Sequence, residues 1–299
     1  MSTILITGGS GLIGTALTDH LLREGHVVRW IGRRATQRPD VRSFAWHAEL
    51  GAPDEAVRDV DHVVHLAGAP IADQRWSTRR VDELTRSRTA GPEALWRAAE
   101  RTGWRPRTFV SASGTGWYGA GRWRAPVAED APPGTDTIAG ITVAWEQAVD
   151  RWAAQSRVVK LRTPMVLART GGALPRLARL ARLGLASPLG DGRQVMPWVH
   201  LDDLVWAYDA ALFNADLQGA FNVAAPEQPD NRTFMRTLAR VLQRPFILPA
   251  VPGFALRIVL GGMAEVLLGG GTVSTGRLEA GGWRSAHPGL EGALRDLLH

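Results

Sequence analysis

Eight residues near the start of the chain, Thr7-Gly8-Gly9-Ser10-Gly11-Leu12-Ile13-Gly14, satisfy two glycine spacings at once, Gly8/Gly11/Gly14 and Gly9/Gly11/Gly14. Glycine lets a backbone turn sharply and come close to a pyrophosphate, and the free N–H groups and positive dipole at a helix start stabilise its charge. The chemistry served by this spacing is dinucleotide binding, with Leu12 and Ile13 opening the helix. A cofactor with a free ribose 2′-hydroxyl calls for a carboxylate about 20 residues beyond the glycines. The chain places Gly32-Arg33-Arg34 there. A carboxylate would repel a 2′-phosphate, whereas guanidinium groups bind it through paired, charge-assisted hydrogen bonds. NADP(H) is therefore the expected cofactor, ahead of NAD(H).

Such a loop needs a strand before it and a helix after it, and the chain supplies both. Short apolar runs at Ile4–Thr7, Val27–Ile31, His62–Leu66, Thr108–Ser111 and Val158–Leu161 read as strands. Between them Leu12, Ile13, Ala16, Leu17 and Leu21 recur at helical spacing, and Ser77 can cap a long helix running toward Arg101. Strand and helix alternate, and right-handed crossovers turn that order into an α/β fold, a doubly wound parallel sheet with helices on both faces. Residues 1–165 make up this nucleotide-binding domain, and Gly114–Pro133, rich in Gly, Pro and Arg, reads as a long loop over the strand ends. Residues 166–299 read as a smaller C-terminal substrate lobe: a helix near Leu174–Leu183, a turn at Gly190–Gly192, a helix from Asp202, a strand at Ala220–Ala224 returned to the main sheet, and two or three further helices.

Composition bounds the rest. The 299 residues are 45% hydrophobic, enough for one large core or a core with an appended lobe, and none is cysteine, which removes thiolate nucleophiles and cysteine-ligated metals. No apolar run approaches the roughly 18 residues of a membrane span, and Thr3-Ile4-Leu5-Ile6 enters a strand without a basic leader, so a cytoplasmic protein with no membrane partner is expected. The formal charge of +6 comes from arginines spread among acidic residues, without the basic tract and aromatic platform of a nucleic-acid groove. A small molecule is the expected partner, and nucleic acid is not.

With these residues in hand the chain resembles the extended short-chain dehydrogenase/reductase superfamily, in its epimerase-family branch that includes the cell-division-inhibitor-like (SulA-like) proteins. The resemblance rests on Thr7–Gly14, Asp61-His62-Val63-Val64-His65-Leu66-Ala67-Gly68, Ser111-Ala112-Ser113 followed by Trp117-Tyr118-Gly119, Leu161-Arg162-Thr163, and Gly190-Asp191-Gly192-Arg193-Gln194 leading to Trp198–Leu204. It implies a Rossmann sheet and, from Arg244 to His299, the branch's small C-terminal domain. It also implies that Leu66, Ala67 and Gly68 lie beside the adenosine and ribose, that Glu83 and Arg88 on the long helix face the cofactor cleft, and that Thr163 and Pro164 close over the nicotinamide. Asp202-Asp203 resembles a capped helix start.

Enzymes of the superfamily use a tyrosine and a lysine four residues later on one helix, the ammonium lowering the phenol's pKa. Aligned on Glu146, those places hold Ile138 and Thr142, and Lys160 lies on the next strand. Ser113 sits where the family places a substrate-polarising hydroxyl, and Tyr118 can donate a hydrogen bond from the loop; these two are the candidate catalytic residues. His65 and His200 lack a second ligand at a recognised spacing, so structural roles are expected and no metal site. No Gly-x-Ser-x-Gly elbow supports hydrolysis. Arg75-Trp76 and Trp198 are candidate walls of a substrate pocket. The expected function is an NADP(H)-binding oxidoreductase or epimerase of a small molecule. The alternatives are an NADP(H)-dependent sensor or scaffold, or a non-redox lyase or isomerase reusing the cleft.

Overall fold

Ile4, Leu5 and Ile6 are wholly buried, and they alternate between two cores: Ile4 and Ile6 join Leu17, Leu21 and Tyr208, while Leu5 joins Val63, Leu95 and Phe109. A period of two with both faces covered is what a central strand of a parallel sheet requires. In the computed structural model, which describes residues 1–46 and 51–299, nine strands are present. They are β1 (Thr3–Thr7), β2 (Val27–Gly32), β3 (Arg42–Ala45), β4 (His62–His65), β5 (Thr108–Gly114), β6 (Arg157–Thr163), β7 (Met165–Leu167), β8 (Trp198–His200) and β9 (Gly219–Asn222). Seven form one parallel sheet in the order β3-β2-β1-β4-β5-β6-β9, and β7 pairs with β8 alone.

The helices are α1 (Leu12–Arg23), α2 (Asp54–Val57), α3 (Thr78–Thr102), α4 (Thr137–Asp150), α5 (Leu174–Arg182), α6 (Leu201–Phe213), α7 (Asn231–Val241), α8 (Gly253–Leu260), α9 (Met263–Leu268), α10 (Gly276–Ala280) and α11 (Leu290–Leu298). A third core gathers Leu174, Trp198, Phe234, Leu238 and Leu294 from α5, β8, α7 and α11. Four points differ from expectation. The strand returned to the sheet is Gly219–Asn222 rather than Ala220–Ala224, and the edge strand β3, whose residues are no more than half-buried, adds to the expected strands. Beyond α6 the chain forms five helices rather than two or three. Finally, the cap of α6 is neither Asp202 nor Asp203: His200 Nδ1 accepts the Asp202 N–H, and the fully buried Asp203 carboxylate accepts from Ser285 Oγ and the N–H groups of Ala286 and His287.

Helix α3 runs through Gly91-Pro92, a pair that ordinarily ends a helix. Ser77 caps its start by accepting the Arg80 N–H. At Pro92 the missing N–H would have bonded to the Arg88 carbonyl, and His65 Nε2 takes that place at 2.9 Å. The carbonyl can only accept, so Nε2 carries the proton and Nδ1 accepts from the Thr7 hydroxyl at 2.7 Å. Gly91 makes room for the ring: a Cβ there would lie 2.7 Å from His65 Cε1. Glycine and proline here form a notch for a histidine rather than a break.

Two outcomes follow. Gly91→Ala should gain about 1 kcal/mol of helix propensity but lose more by overpacking, a net destabilisation of about 1–2 kcal/mol in urea titration; a stabilised variant would show that the notch is not needed. Burial holds both His65 and His62 down to about 4. Between about 6.5 and about 4 the unfolded chain therefore binds protons that the folded chain refuses, so stability is full above this window and falls as pH drops through it, by about 1.4 kcal/mol per pH unit for each histidine. Urea midpoints measured from pH 7 to pH 4 should show this slope, and His65→Gln should shallow it.

Candidate functional site

The turn after β1 is built for close approach. Gly8 has φ of +71°, and a Cβ on it would lie 2.9 Å from the Ala67 nitrogen; a Cβ on Gly14 would lie 2.5 Å from the Gly8 carbonyl oxygen. Gly11 is the N-cap of α1 and offers no side chain, and the first turn carries no acidic residue. The opening N–H groups, from Leu12 and Ile13 onward, have no intrahelical acceptor and point their dipole at whatever lies before the helix. The side chains of Leu12 and Ile13 turn elsewhere, Leu12 against Gly171 and Gly172 and Ile13 onto the core.

This turn forms one end of a cleft of about 1260 Å³, lined also by Gly32, Arg33, Arg34, Leu66, Ala67, Gly68 and Glu83. Arg33 and Arg34 are exposed along it, and neither has an ion pair among the described residues. Trp30, Trp46, Arg79 and Arg86 line the same cleft and were not singled out from sequence. The spacing of Arg79 and Arg86, two turns apart on a helix already predicted, was the one signal available for them.

The floor is the loop after β4. Thr7 Oγ1 accepts the N–H groups of Leu66 and Ala67, both at 3.1 Å, and Ser87 Oγ accepts that of Ala69. Arg80 donates to the Pro70 carbonyl and to Glu83, and Arg88 donates to the carbonyls of Leu84 and Ala69. Arg88 does not line the cleft as expected: it lies beneath it, covered by Gly68, whose Cβ would sit 3.3 Å from the guanidinium carbon. No carboxylate pairs with Arg88 among the described residues, and burial together with Arg80 pushes it down to about 10. Two buried guanidinium groups, Arg80 paired with Glu83 and Arg88 with no carboxylate partner among the described residues, make the floor electropositive.

The structure brings Ser113 and Tyr118 together in one buried network. Ser113 donates to Glu146 at 2.7 Å, and Arg162 holds both Glu146 oxygens at 2.8 and 3.1 Å. Arg162 also donates to the Tyr118 oxygen, and Tyr118 donates to Asn222 Oδ1 at 2.8 Å. Burial opposes the charge on Glu146, but Arg162, helped by Ser113 and Lys160, holds it below the usual carboxylate range. Burial pushes the Tyr118 phenol up against the opposing pull of Arg162. Both hydroxyls are thus committed to protein partners. Ile138 and Thr142 lie buried on α4, with Thr142 Oγ1 donating to the Ile138 carbonyl, and Lys160 faces Glu146 and Asp150.

The remaining candidates separate. Thr163, at the end of β6, donates to the Leu161 carbonyl and lies with Pro164 outside the cleft. Trp76 is buried against Leu84, Ile138 and Met263, its indole donating to the Ile71 carbonyl. Trp198 does not wall a pocket: it is fully buried in the core of α5, α7 and α11, donating to the Glu227 carbonyl at 2.7 Å.

A model of the NAD dependent epimerase/dehydratase family matches residues 4–224, and a domain of unknown function, DUF1731, matches residues 251–297. An epimerase family protein of Mycobacterium bovis is 38% identical over 98% of this chain and 96% of its own length. The epimerase family protein SDR39U1 of Mus musculus is 33% identical over 99% of each chain. The crystal structure of human SDR39U1 (isoform 2) with NADPH superposes with a TM-score of 0.87 at 31% identity, covering 99% of this chain and 98% of that one. MoeE5, solved with UDP-glucuronic acid and NAD, has a TM-score of 0.79 at 21% identity over 98% of this chain and 96% of its own, a likeness of fold.

Removing one member of the buried ion pair should cost far more than removing both. Arg162→Met leaves Glu146 buried without its main partner and should lose about 3–5 kcal/mol in urea titration, and adding Glu146→Leu should recover part of it. A double variant no better than the single one would mean that the pair does not govern this region.

Proposed function

The chain belongs to the NAD dependent epimerase/dehydratase family, and we propose that within it this protein binds NADP(H) and acts on a small molecule by hydride exchange, as an oxidoreductase or epimerase. The observation that carries this reading is the meeting, in one cleft, of the open start of α1 with Arg33 and Arg34. The helix start suits a pyrophosphate, and the two exposed guanidinium groups suit a further phosphoryl group on the adenosine side. NADPH in the structure of human SDR39U1 supports the same choice of cofactor. The volume suits an elongated ligand, being above the usual range for a small-molecule pocket.

When bound, the nicotinamide supplies the hydride donor or acceptor. This chain's own residues do the binding: Leu12 and Ile13 by backbone N–H, Leu66 to Gly68 as a flat floor, Arg33 and Arg34 at the phosphate end. Ser113 and Tyr118 remain the candidates for polarising a carbonyl, which requires them to exchange a protein partner for substrate. Their engagement with Glu146, Arg162 and Asn222 favours a second reading, in which the nucleotide is sensed rather than consumed and the protein is an NADP(H)-dependent sensor or scaffold. Oxidation of NADPH in the presence of a carbonyl substrate supports the first reading; a stable NADPH complex with cofactor-dependent partner capture supports the second.

Binding of NADPH and NADH to the parent and to Arg33→Ala/Arg34→Ala tests the cofactor assignment. NADPH should weaken by about 1.5–3 kcal/mol per lost contact, at least about tenfold, with NADH nearly untouched. Equal weakening of the two would retire the assignment.

A further inference from the structure

Helix α8 has no fully buried residue. Phe254 and Ile258, one turn apart, are 67% and 68% exposed, Val259 beside them 68%, and Ile247 before the helix 81%. Leu183 and Leu185, which follow α5, are also exposed. The two stretches are joined: Ser187 Oγ donates to the Pro249 carbonyl, the Val251 N–H to Pro188 at 2.8 Å, and the Gly190 N–H to Val251 at 2.9 Å. Large apolar side chains exposed together in this way mark an interaction surface.

The charge on this face is mainly basic, although Arg257 shares a pocket with Asp136, Asp191 and Glu265 and Arg176 pairs with Asp73. Residues 170–190 and 242–264 contain no Asp or Glu. Arg179, Arg182, Arg244 and Arg257 stand among the exposed apolar residues, and none has a side-chain ion pair or hydrogen bond among the described residues. A second copy docked about a twofold axis would bring Arg179, Arg182 and Arg244 face to face, with no Asp or Glu in either stretch to receive them. An anionic phospholipid surface meets both features: apolar side chains enter the boundary of the acyl chains, and arginine stems reach back to phosphate groups.

We propose that the α5–α8 face docks on an anionic lipid surface. No helix among the described residues is long and apolar enough to cross a membrane, so the contact is peripheral. The proposal departs from the expectation of no membrane partner, since spanning and surface docking need different segments.

The test is flotation of the full chain with vesicles of phosphatidylglycerol and phosphatidylcholine, and with vesicles of phosphatidylcholine alone. The parent should float with the anionic vesicles and not with the neutral ones, and should detach as salt is raised. Arg179→Gln/Arg182→Gln/Arg257→Gln should weaken binding about a hundredfold, and Phe254→Ser/Ile258→Ser about tenfold or more, each variant melting like the parent. Absence of binding to anionic vesicles overturns the proposal, as does equal binding by both variants. A dimer in sedimentation velocity that Phe254→Ser/Ile258→Ser dissolves would assign the face to a second copy and overturn it too.

Discussion

A single relay of hydrogen bonds, from the Leu66 and Ala67 amides through Thr7 and His65 to the carbonyl of Arg88, sets the geometry of the cleft. It joins the ends of two neighbouring strands to the middle of the longest helix. Each link has one polarity, because a backbone N–H can only donate and a carbonyl can only accept, so the neutral histidine has one tautomer available. Burial keeps that histidine neutral, and neutrality keeps the relay intact. The loop that floors the cleft is thereby held from its first residue, while the helix N-terminus opposite it stays open.

The floor also sets the charge of this cleft. Burying a guanidinium group without a carboxylate is costly, and Arg88 is stabilised instead by two carbonyls and by the face of Trp145, 5.0 Å away. Arg80 adds a second charge close by. Their field acts through one layer of backbone on whatever occupies the cleft, in a setting where low dielectric strengthens it. Arg33, Arg34, Arg79 and Arg86 extend the same sign along the walls, where Glu83 and Glu93 oppose it. The ion pair between Arg162 and Glu146 has the opposite character: it is internally neutral and binds strand, helix and loop to one another.

Much of this was legible in the chain because the signals were local. The glycine spacing, the Ser77 cap and the apolar runs of the central strands each depend on neighbours within a few residues, and each has its expected element. What could not be read depended on distance. Ser113 and Tyr118 were visible as hydroxyls, but the partners that engage them lie 33, 44 and 104 residues away. Trp76 and Trp198 have the same letter and different depths, and Trp198 is core because α7 and α11 return over it. His200 displaced the two aspartates as a cap because Asp203 is needed to hold the segment around Ala286. Strand β3 escaped because four residues of mixed polarity, Arg42-Ser43-Phe44-Ala45, carry little periodicity at a sheet edge.

Lys160 is the sole lysine in the sequence, and it lies on the seam between β6 and α4, its ammonium 3.3 Å from Glu146 and 2.7 Å from Asp150. An acylating reagent that seeks side-chain amines therefore has one address in this molecule, and a guarded one. The speed of its capture becomes a clock for how often that seam breathes, readable by mass without any engineered label.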